Sequence, residues 1–251
     1  MGGKVAIVTG SSSGVGEAIA IHLASLGYRL TVAGRNAENL LKVVNKCKEQ
    51  GLADKEILSM TGDVNDVEFL KKMANDTNEY FNRVDLLVNN AGVGCMKHLS
   101  ETTVEDYDLV MSTNLRSAFF ASQAALPFLK ESKGSVVNVS SCGSLQPSKL
   151  CVYTMSKAGM DQLTLNTAKA FAEYGIRVNS VNPGVMVTNL FNAADFSHNK
   201  VMDMVKWMHA LQNRPVKLDE VATAVAFLAS EQAAMITGCI LPIDGGFHLG
   251  K

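Results

Sequence analysis

Seven short apolar segments, each separated from the next by a longer stretch that includes helical periodicity, constrain the fold of this chain most strongly. They lie at residues 5–8, 30–33, 57–60, 86–88, 136–139, 178–181 and 240–243. Strands that alternate with amphipathic helices are typical of βαβ units, in which helices cover both faces of a parallel sheet. The sequence therefore predicts an α/β protein with a doubly wound parallel sheet of about seven strands.

The helical stretches support a single domain. Apolar residues recur at helical spacing in 15–26, which ends at Gly27, and again in 107–115 and 221–228. No Pro/Gly/Ser-rich linker or internal repeat interrupts the alternation, so residues 1–251 are expected to form one unit.

The segment 185–214 departs from this alternation and is predicted to be a lid over a substrate site. Its large, adaptable side chains suit an apolar substrate. They are Met186, Phe191, Phe196, Met202, Met204, Trp207 and Met208. Helical spacing within 201–208 is equally typical of a satellite core or a subunit contact, and this alternative stays open.

Composition excludes several classes of protein. The chain has 23 basic and 24 acidic residues and no run of five or more like charges, so a nucleic-acid partner is not expected. Its five cysteines show no C-x-x-C spacing, which predicts neither disulfides nor a metal site. The first strand begins at Val5, and no apolar run reaches the roughly 18 residues that span a bilayer. We therefore expect a cytoplasmic protein without a membrane segment.

A glycine-rich turn joins the first predicted strand to the first helix, in the sequence TGSSSGVG from Thr9 to Gly16. Glycines at this position let the backbone turn sharply and let a pyrophosphate reach the free N–H groups of the helix N-terminus. The same letters match the G-x-S-x-G nucleophile elbow of α/β-hydrolases, but that fold needs strands upstream of the serine and only nine residues precede Gly10. A phosphate-binding P-loop is excluded because no G-K-[S/T] follows.

The glycine spacing and several later motifs together resemble the short-chain dehydrogenase/reductase family. These motifs are Asn89-Asn90-Ala91-Gly92, Asn114, a serine near 141, Tyr153-x-x-x-Lys157, Pro183-Gly184 and Asp244-Gly245-Gly246. They cover nearly the whole chain. The resemblance implies a Rossmann-type fold and an oxidoreductase that passes a hydride between a nicotinamide dinucleotide and a carbonyl or alcohol.

The end of the second strand bears on the choice between NAD and NADP. An NAD site usually has an acidic residue there, which binds the ribose hydroxyls. This chain has Gly34 and Arg35 instead, and a guanidinium suits a 2′-phosphate. The sequence predicts NADP(H), although Arg35 would also be ordinary on a solvated helix start. The expected cofactor-binding residues are Gly10, Ser12, Ser13, Gly14, Val15, Gly16, Arg35, Asp63, Val64, Asn90, Ala91, Gly92, Tyr153, Lys157, Pro183, Gly184, Val187 and Thr188.

Tyr153 and Lys157 are the predicted catalytic pair. Their spacing of four residues places them on one helix face, about one turn apart. A nearby ammonium is expected to lower the pKa of a tyrosine from about 10 toward neutrality, so that Tyr153 serves as general acid or base. The resemblance adds that Lys157 holds the nicotinamide ribose.

Two further residues complete the predicted catalytic set. A serine hydroxyl at the end of the fifth strand is expected to hydrogen-bond the substrate oxygen. Ser141 is the choice, whereas Ser140 matches the family's usual spacing and stays open. The resemblance implies that Asn114 binds a water molecule that links Lys157 to solvent. The alternative is that its side chain makes a structural hydrogen bond to the backbone.

These residues predict an NADP-dependent carbonyl reductase that also works as an alcohol dehydrogenase. A binding protein that keeps the dinucleotide site without chemistry is the alternative, although it would not need the full catalytic set. An epimerase or dehydratase of the extended relatives expects another glycine spacing and a longer substrate domain. The resemblance implies a homotetramer, with a dimer as fallback, and apolar positions on the helix near Tyr153 and at Ile240 and Leu241 agree.

Overall fold

The computed structural model describes residues 3–188, 190, 205, 210–211 and 214–249. The predicted lid at 185–214 lies mostly outside these residues. Six of its large side chains are among those not described, namely Phe191, Phe196, Met202, Met204, Trp207 and Met208.

Strands and helices alternate along the described chain, as the sequence predicts. The strands are β1 (Val5–Thr9), β2 (Arg29–Gly34), β3 (Ile57–Thr61), β4 (Leu86–Asn89), β5 (Ser135–Val139), β6 (Arg177–Pro183) and β7 (Ile240–Ile243). The helices are α1 (Gly14–Ser25), α2 (Ala37–Glu49), α3 (Val67–Phe81), α4 (Val104–Met111), α5 (Ser117–Ser132), α6 (Cys151–Phe171) and α7 (Leu218–Ala229). All seven predicted strands are confirmed.

The strands form one parallel sheet in the order β3-β2-β1-β4-β5-β6-β7. The chain builds outward from β1 to β3, then crosses back and continues from β4 on the other side. In a doubly wound sheet of this kind, ligands bind in the crevice beyond the carboxyl ends of the strands, where the order reverses. Here that point lies between β1 and β4, directly after the glycine turn.

Two hydrophobic cores lie on opposite faces of the sheet. Alternate residues of β1 divide between them: Ala6 and Val8 pack in the core that includes α1, α2 and α7, whereas Ile7 packs in the core that includes α3 and α5. Every residue of β1 is buried, as expected for a parallel strand covered on both faces. The predicted Rossmann-type architecture is thus confirmed.

None of the described helices combines the length and apolarity required to span a bilayer.

Candidate active site

A cleft of about 1210 Å³ opens at the carboxyl edge of the sheet and collects most of the predicted site residues. Those that line it are Gly10, Ser12, Ser13, Gly14, Val15, Arg35, Asp63, Val64, Asn90, Ala91, Gly92, Ser140, Ser141, Tyr153, Lys157, Pro183, Gly184 and Thr188. Three predicted residues are not part of its wall: Gly16, Asn114 and Val187. We call the part formed by 10–15, 34–36, 62–64 and 90–92 the cofactor half.

The glycine turn brings backbone close to backbone in the cofactor half. Gly10 has a φ of +64°, and a Cβ added there would lie 2.7 Å from the Cα of Ala91. Helix α1 begins directly after the turn, and the side chain of its N-cap residue, Ser13, makes no capping hydrogen bond. The first N–H groups of α1 therefore have neither an intrahelical nor a Ser13 side-chain partner, and since Gly14 and Val15 line the cleft, this helix start suits a pyrophosphate.

Asn90 fixes the shape of this turn. Its Nδ2 donates to the carbonyl oxygens of Thr9 at 2.9 Å and Gly10 at 3.1 Å. The Thr9 hydroxyl accepts from the backbone N–H groups of Asn90 at 3.0 Å and Ala91 at 3.1 Å. The predicted nucleotide residue Asn90 thus has a structural role that the sequence did not reveal, because it joins the ends of β1 and β4.

The ends of β2 and β3 form the outer wall of the cofactor half. Gly34 leaves space for Ser12, since a Cβ there would come within 3.2 Å of the Ser12 side chain. Arg35 follows on the exposed rim of the cleft. Asp63 lines the cleft after the end of β3, and its carboxylate accepts from the Asn65 N–H at 2.9 Å in a local turn.

Tyr153 and Lys157 lie side by side on α6, both almost fully buried. The Lys157 ammonium donates to the carbonyl oxygen of Val139 at 2.8 Å and lies 5.9 Å from the centre of the Tyr153 ring. Burial raises the pKa of Tyr153 to about 12 and lowers the pKa of Lys157 to about 8, against a raising effect of Asp161. The expected lowering of the tyrosine pKa is therefore wrong for this structure, because the effect of burial outweighs the lowering effect of the hydrogen bond with Ser141.

The two candidate serines differ in what their hydroxyls contact. Ser140 is buried, and its Oγ donates to the carbonyl oxygen of Lys157 at 3.0 Å. The side chain of Ser141 hydrogen-bonds Tyr153 and also accepts from the Gly143 N–H at 3.1 Å. Ser141 therefore lies beside Tyr153 in the cleft, whereas Ser140 holds the backbone of α6 at Lys157.

Asn114 lies in a π-helical segment, Ser112–Arg116, between α4 and α5. Its side chain accepts from the Val93 N–H at 2.8 Å and donates to the Val93 oxygen and to Ser156, both at 3.0 Å. Single π turns inside helices are frequent at functional sites. The structural alternative for this side chain is thus observed, and the proposed water link to Lys157 stays a prediction.

The remaining wall of the cleft, which we call the substrate half, comes mainly from loops that no motif marks, together with Thr154 on α6. Its residues are Val93, Met96, Cys142, Gly143, Gln146, Pro147, Ser148, Leu150, Thr154, Val185, Met186, Leu190 and Phe247. Gln146 crosses this wall and donates through Nε2 to the carbonyl oxygen of Phe247 at 3.1 Å, which joins the loop after β5 to the C-terminal turn.

Comparison with known proteins decides the family. A family model described as enoyl-(acyl carrier protein) reductase matches residues 10–248. A tropinone reductase homolog of Arabidopsis thaliana is 38% identical over 97% of this chain and 90% of its own length. The chain belongs to the short-chain dehydrogenase/reductase family.

Solved structures of short-chain dehydrogenase/reductase proteins agree. Levodione reductase superposes with a TM-score of 0.92 at 30% identity, covering 99% of this chain and 98% of that one. A variant of actinorhodin polyketide ketoreductase, solved with NADPH, gives a TM-score of 0.90 at 30% identity, covering 98% of this chain and 97% of that one.

The short-chain dehydrogenase/reductase proteins are oxidoreductases that bind a nicotinamide dinucleotide and act on small molecules. The cofactor half fits such a group, because the close approach at Gly10 and the uncapped start of α1 leave backbone N–H groups for a pyrophosphate. The five cysteines are free thiols, and the described residues contain no cluster of three or more His, Cys, Asp or Glu suited to a metal ion.

Proposed function

We propose that this protein is an NADP-dependent carbonyl reductase that works reversibly as an alcohol dehydrogenase, with Tyr153 as its general acid and base. One observation carries the proposal: Tyr153, Lys157 and Ser141 meet in one cleft with the glycine turn at Gly10. The cleft thus offers a dinucleotide seat beside a proton donor.

The nicotinamide supplies a hydride to the carbonyl carbon when it is bound. The Tyr153 hydroxyl donates its proton to the substrate oxygen, which yields the alcohol and leaves a phenolate. A tyrosine with a raised pKa holds this proton across the physiological range. The Lys157 ammonium stabilises the phenolate as it forms, and the proton is restored from solvent.

The Ser141 hydroxyl is proposed to hydrogen-bond the substrate oxygen beside Tyr153. Its contact with the Tyr153 side chain supports this role, whereas Ser140 is engaged with the Lys157 carbonyl. Ser141→Ala is expected to lower kcat by roughly 100-fold, as for loss of a donor to a developing oxyanion. Ser140→Ala should cost less, and the reverse order would assign the role to Ser140.

NADP(H) rather than NAD(H) is the proposed cofactor. Arg35 lies on the open rim of the cofactor half, and Gly34 beside it carries no acidic side chain to repel a phosphate. Titration calorimetry should show tighter binding of NADPH than of NADH. Arg35→Ala is expected to weaken NADPH binding by roughly tenfold and to leave NADH binding nearly unchanged. Equal affinities in the wild type would make Arg35 an ordinary surface residue.

The proposed substrate is a neutral, mostly apolar ketone or secondary alcohol. The substrate half has no charged side chain among the residues described there. A charged substrate would lose hydration without gaining a partner in this wall. Segment 185–214 is proposed to act as its lid.

A panel of carbonyls and alcohols, assayed for NADPH consumption or NADP reduction, tests this function. Neutral cyclic and aromatic ketones should be reduced faster than keto acids. A 2-enoyl thioester belongs in the panel because of the description of the matching family model. Turnover of the enoyl compound alone would contradict carbonyl reduction, and binding of NADPH with no turnover of any member would favour a binding-only protein.

A homotetramer is the proposed assembly. Large apolar side chains stay exposed on two helices that follow each other in the chain, with Phe119 on α5 and Met155 and Leu165 on α6. Exposed apolar residues of this size are typical of subunit contacts. Light scattering should give four times the chain mass, and the mass of a single chain, 26.9 kDa, would reject the proposal.

A further inference from the structure

One turn beyond Lys157 on α6, the carboxylate of Asp161 joins three parts of the active site. It accepts from the Ser144 hydroxyl at 2.5 Å, and both of its oxygens accept from Asn182 Nδ2, at 3.0 and 2.9 Å. Ser144 belongs to the short turn that follows β5 and Ser141, and Asn182 lies in β6 just before Pro183.

The same hydrogen bonds reach Ser141 itself. Asn182 Nδ2 also lies 3.2 Å from the Ser141 carbonyl oxygen and 2.9 Å from the Ser144 hydroxyl. Asn182 is fully buried, and its side-chain oxygen Oδ1 accepts from the Ser180 hydroxyl at 2.6 Å. Since a carboxylate is the strongest acceptor in this group, its removal would leave buried donors with poorer partners.

We propose that Asp161 is a positioning residue, which holds the turn carrying Ser141 against α6 and β6 and keeps a negative charge beside Lys157. This role rests on the proposed function, because Ser141, Tyr153 and Lys157 must meet the same substrate oxygen and its proton donor. A small displacement of the turn would move the Ser141 hydroxyl away from Tyr153.

The charge of Asp161 adds an electrostatic effect to this anchoring. Tyr153 and Asp161 lie on either side of Lys157 along α6. Cys142, in the turn after β5, raises the pKa of Tyr153, and Asp161 raises the pKa of Lys157. The Lys157 ammonium also lies beside two uncharged groups: the carbonyl oxygen of Val139 at the end of β5, and Gly92 in the loop after β4. Asp161 raises the pKa of Lys157 against the effect of burial, so the ammonium form depends in part on this carboxylate.

The test compares Asp161→Asn and Ser144→Ala with Glu173→Gln, which removes an exposed carboxylate beyond the end of α6. Amide hydrogen exchange of Gly143 and Ser144 in the protein alone reports the anchoring. Both test variants should speed this exchange at least fivefold, and the control should not. Unchanged exchange in Asp161→Asn would overturn the proposal.

Measurements of kcat and of its pH dependence distinguish a positioning role of Asp161 from a purely structural one. Asp161→Asn should lower kcat by about tenfold with less than a twofold change in NADPH affinity, and it should shift the loss of activity at high pH to lower pH. Ser144→Ala should lower kcat without that pH shift. Faster exchange with an unchanged kcat and pH profile would also overturn the proposal. If the wild type reduces no carbonyl, the proposed function fails, and hydrogen exchange alone then decides the anchoring.

Discussion

Five glycines lie in the wall of the cofactor half, so backbone forms much of that wall, whereas the substrate half has one glycine and a wall made mainly of side chains on loops and helix α6. A larger residue would not fit at Gly10 or Gly34, because neighbouring atoms fill the space where its Cβ would lie. Gln146 and Phe247 meet across the substrate half from positions 101 residues apart in the chain. A backbone wall tolerates little variation, and a side-chain wall leaves the choice of substrate to a few loop residues.

Substitution of Tyr153, which lies where the two halves meet, should have the largest effect on activity. Tyr153→Phe removes the hydroxyl group with its transferable proton, so kcat is expected to fall by roughly 10²–10⁴-fold, the usual contribution of general acid catalysis. NADPH affinity, measured by titration calorimetry, should change less than twofold. Retention of more than about a tenth of wild-type kcat would contradict the assignment.

The cofactor half is expected to be sensitive to a single methyl group. Gly10→Ala places a Cβ against the Ala91 backbone at a φ of +64°, so the turn must shift and the helix N–H groups move with it. We expect NADPH binding to weaken by about tenfold or more, given the usual cost of such strain. Gly51→Ala is the control, because Gly51 also has a positive φ but open space around it.

The Gly51→Ala variant should lose thermal stability and keep its NADPH affinity. Equal affinity in Gly10→Ala and the wild type would show that the turn does not position the dinucleotide.

The two halves also differ in how far the sequence predicted them. The strand-helix alternation, the glycine spacing and Tyr153-x-x-x-Lys157 are local patterns, so they predicted the doubly wound sheet, the turn and the catalytic helix, but not the order of the strands. Met96, Gln146 and Phe247 come together only through the fold, and no spacing rule connects them. The π segment at Asn114 and the buried state of Tyr153 depend on tertiary packing, which explains why the expected tyrosine pKa was wrong.

The pH dependence of kcat/KM tests the role of Lys157, which lies with Tyr153 where the two halves meet. Lys157 has a lowered pKa of about 8, and its ammonium form stabilises the phenolate left by proton transfer. Because a lysine loses its charge as pH rises through its pKa, kcat/KM for ketone reduction should fall above pH 8, approaching tenfold per pH unit. Tyr153, with a pKa of about 12, stays protonated over this range. A profile that stays flat to pH 10 would show that the charge of Lys157 does not limit proton transfer.

The smallest effect is expected in the substrate half. Gln146→Leu breaks the hydrogen bond to Phe247 and adds an apolar surface to the wall. A neutral hydrogen bond contributes about 0.5–1.5 kcal/mol, so KM for a bulky ketone should change by roughly two- to twelvefold. Both kcat and NADPH affinity should stay close to the wild type, because Tyr153 and the cofactor half are untouched. Gln50→Leu, at the exposed end of α2, is the matched control and should leave KM unchanged. A fall in NADPH affinity as large as the change in KM would show that the two halves are coupled, and the loops around Gln146 would then belong to the cofactor seat as much as to the substrate wall.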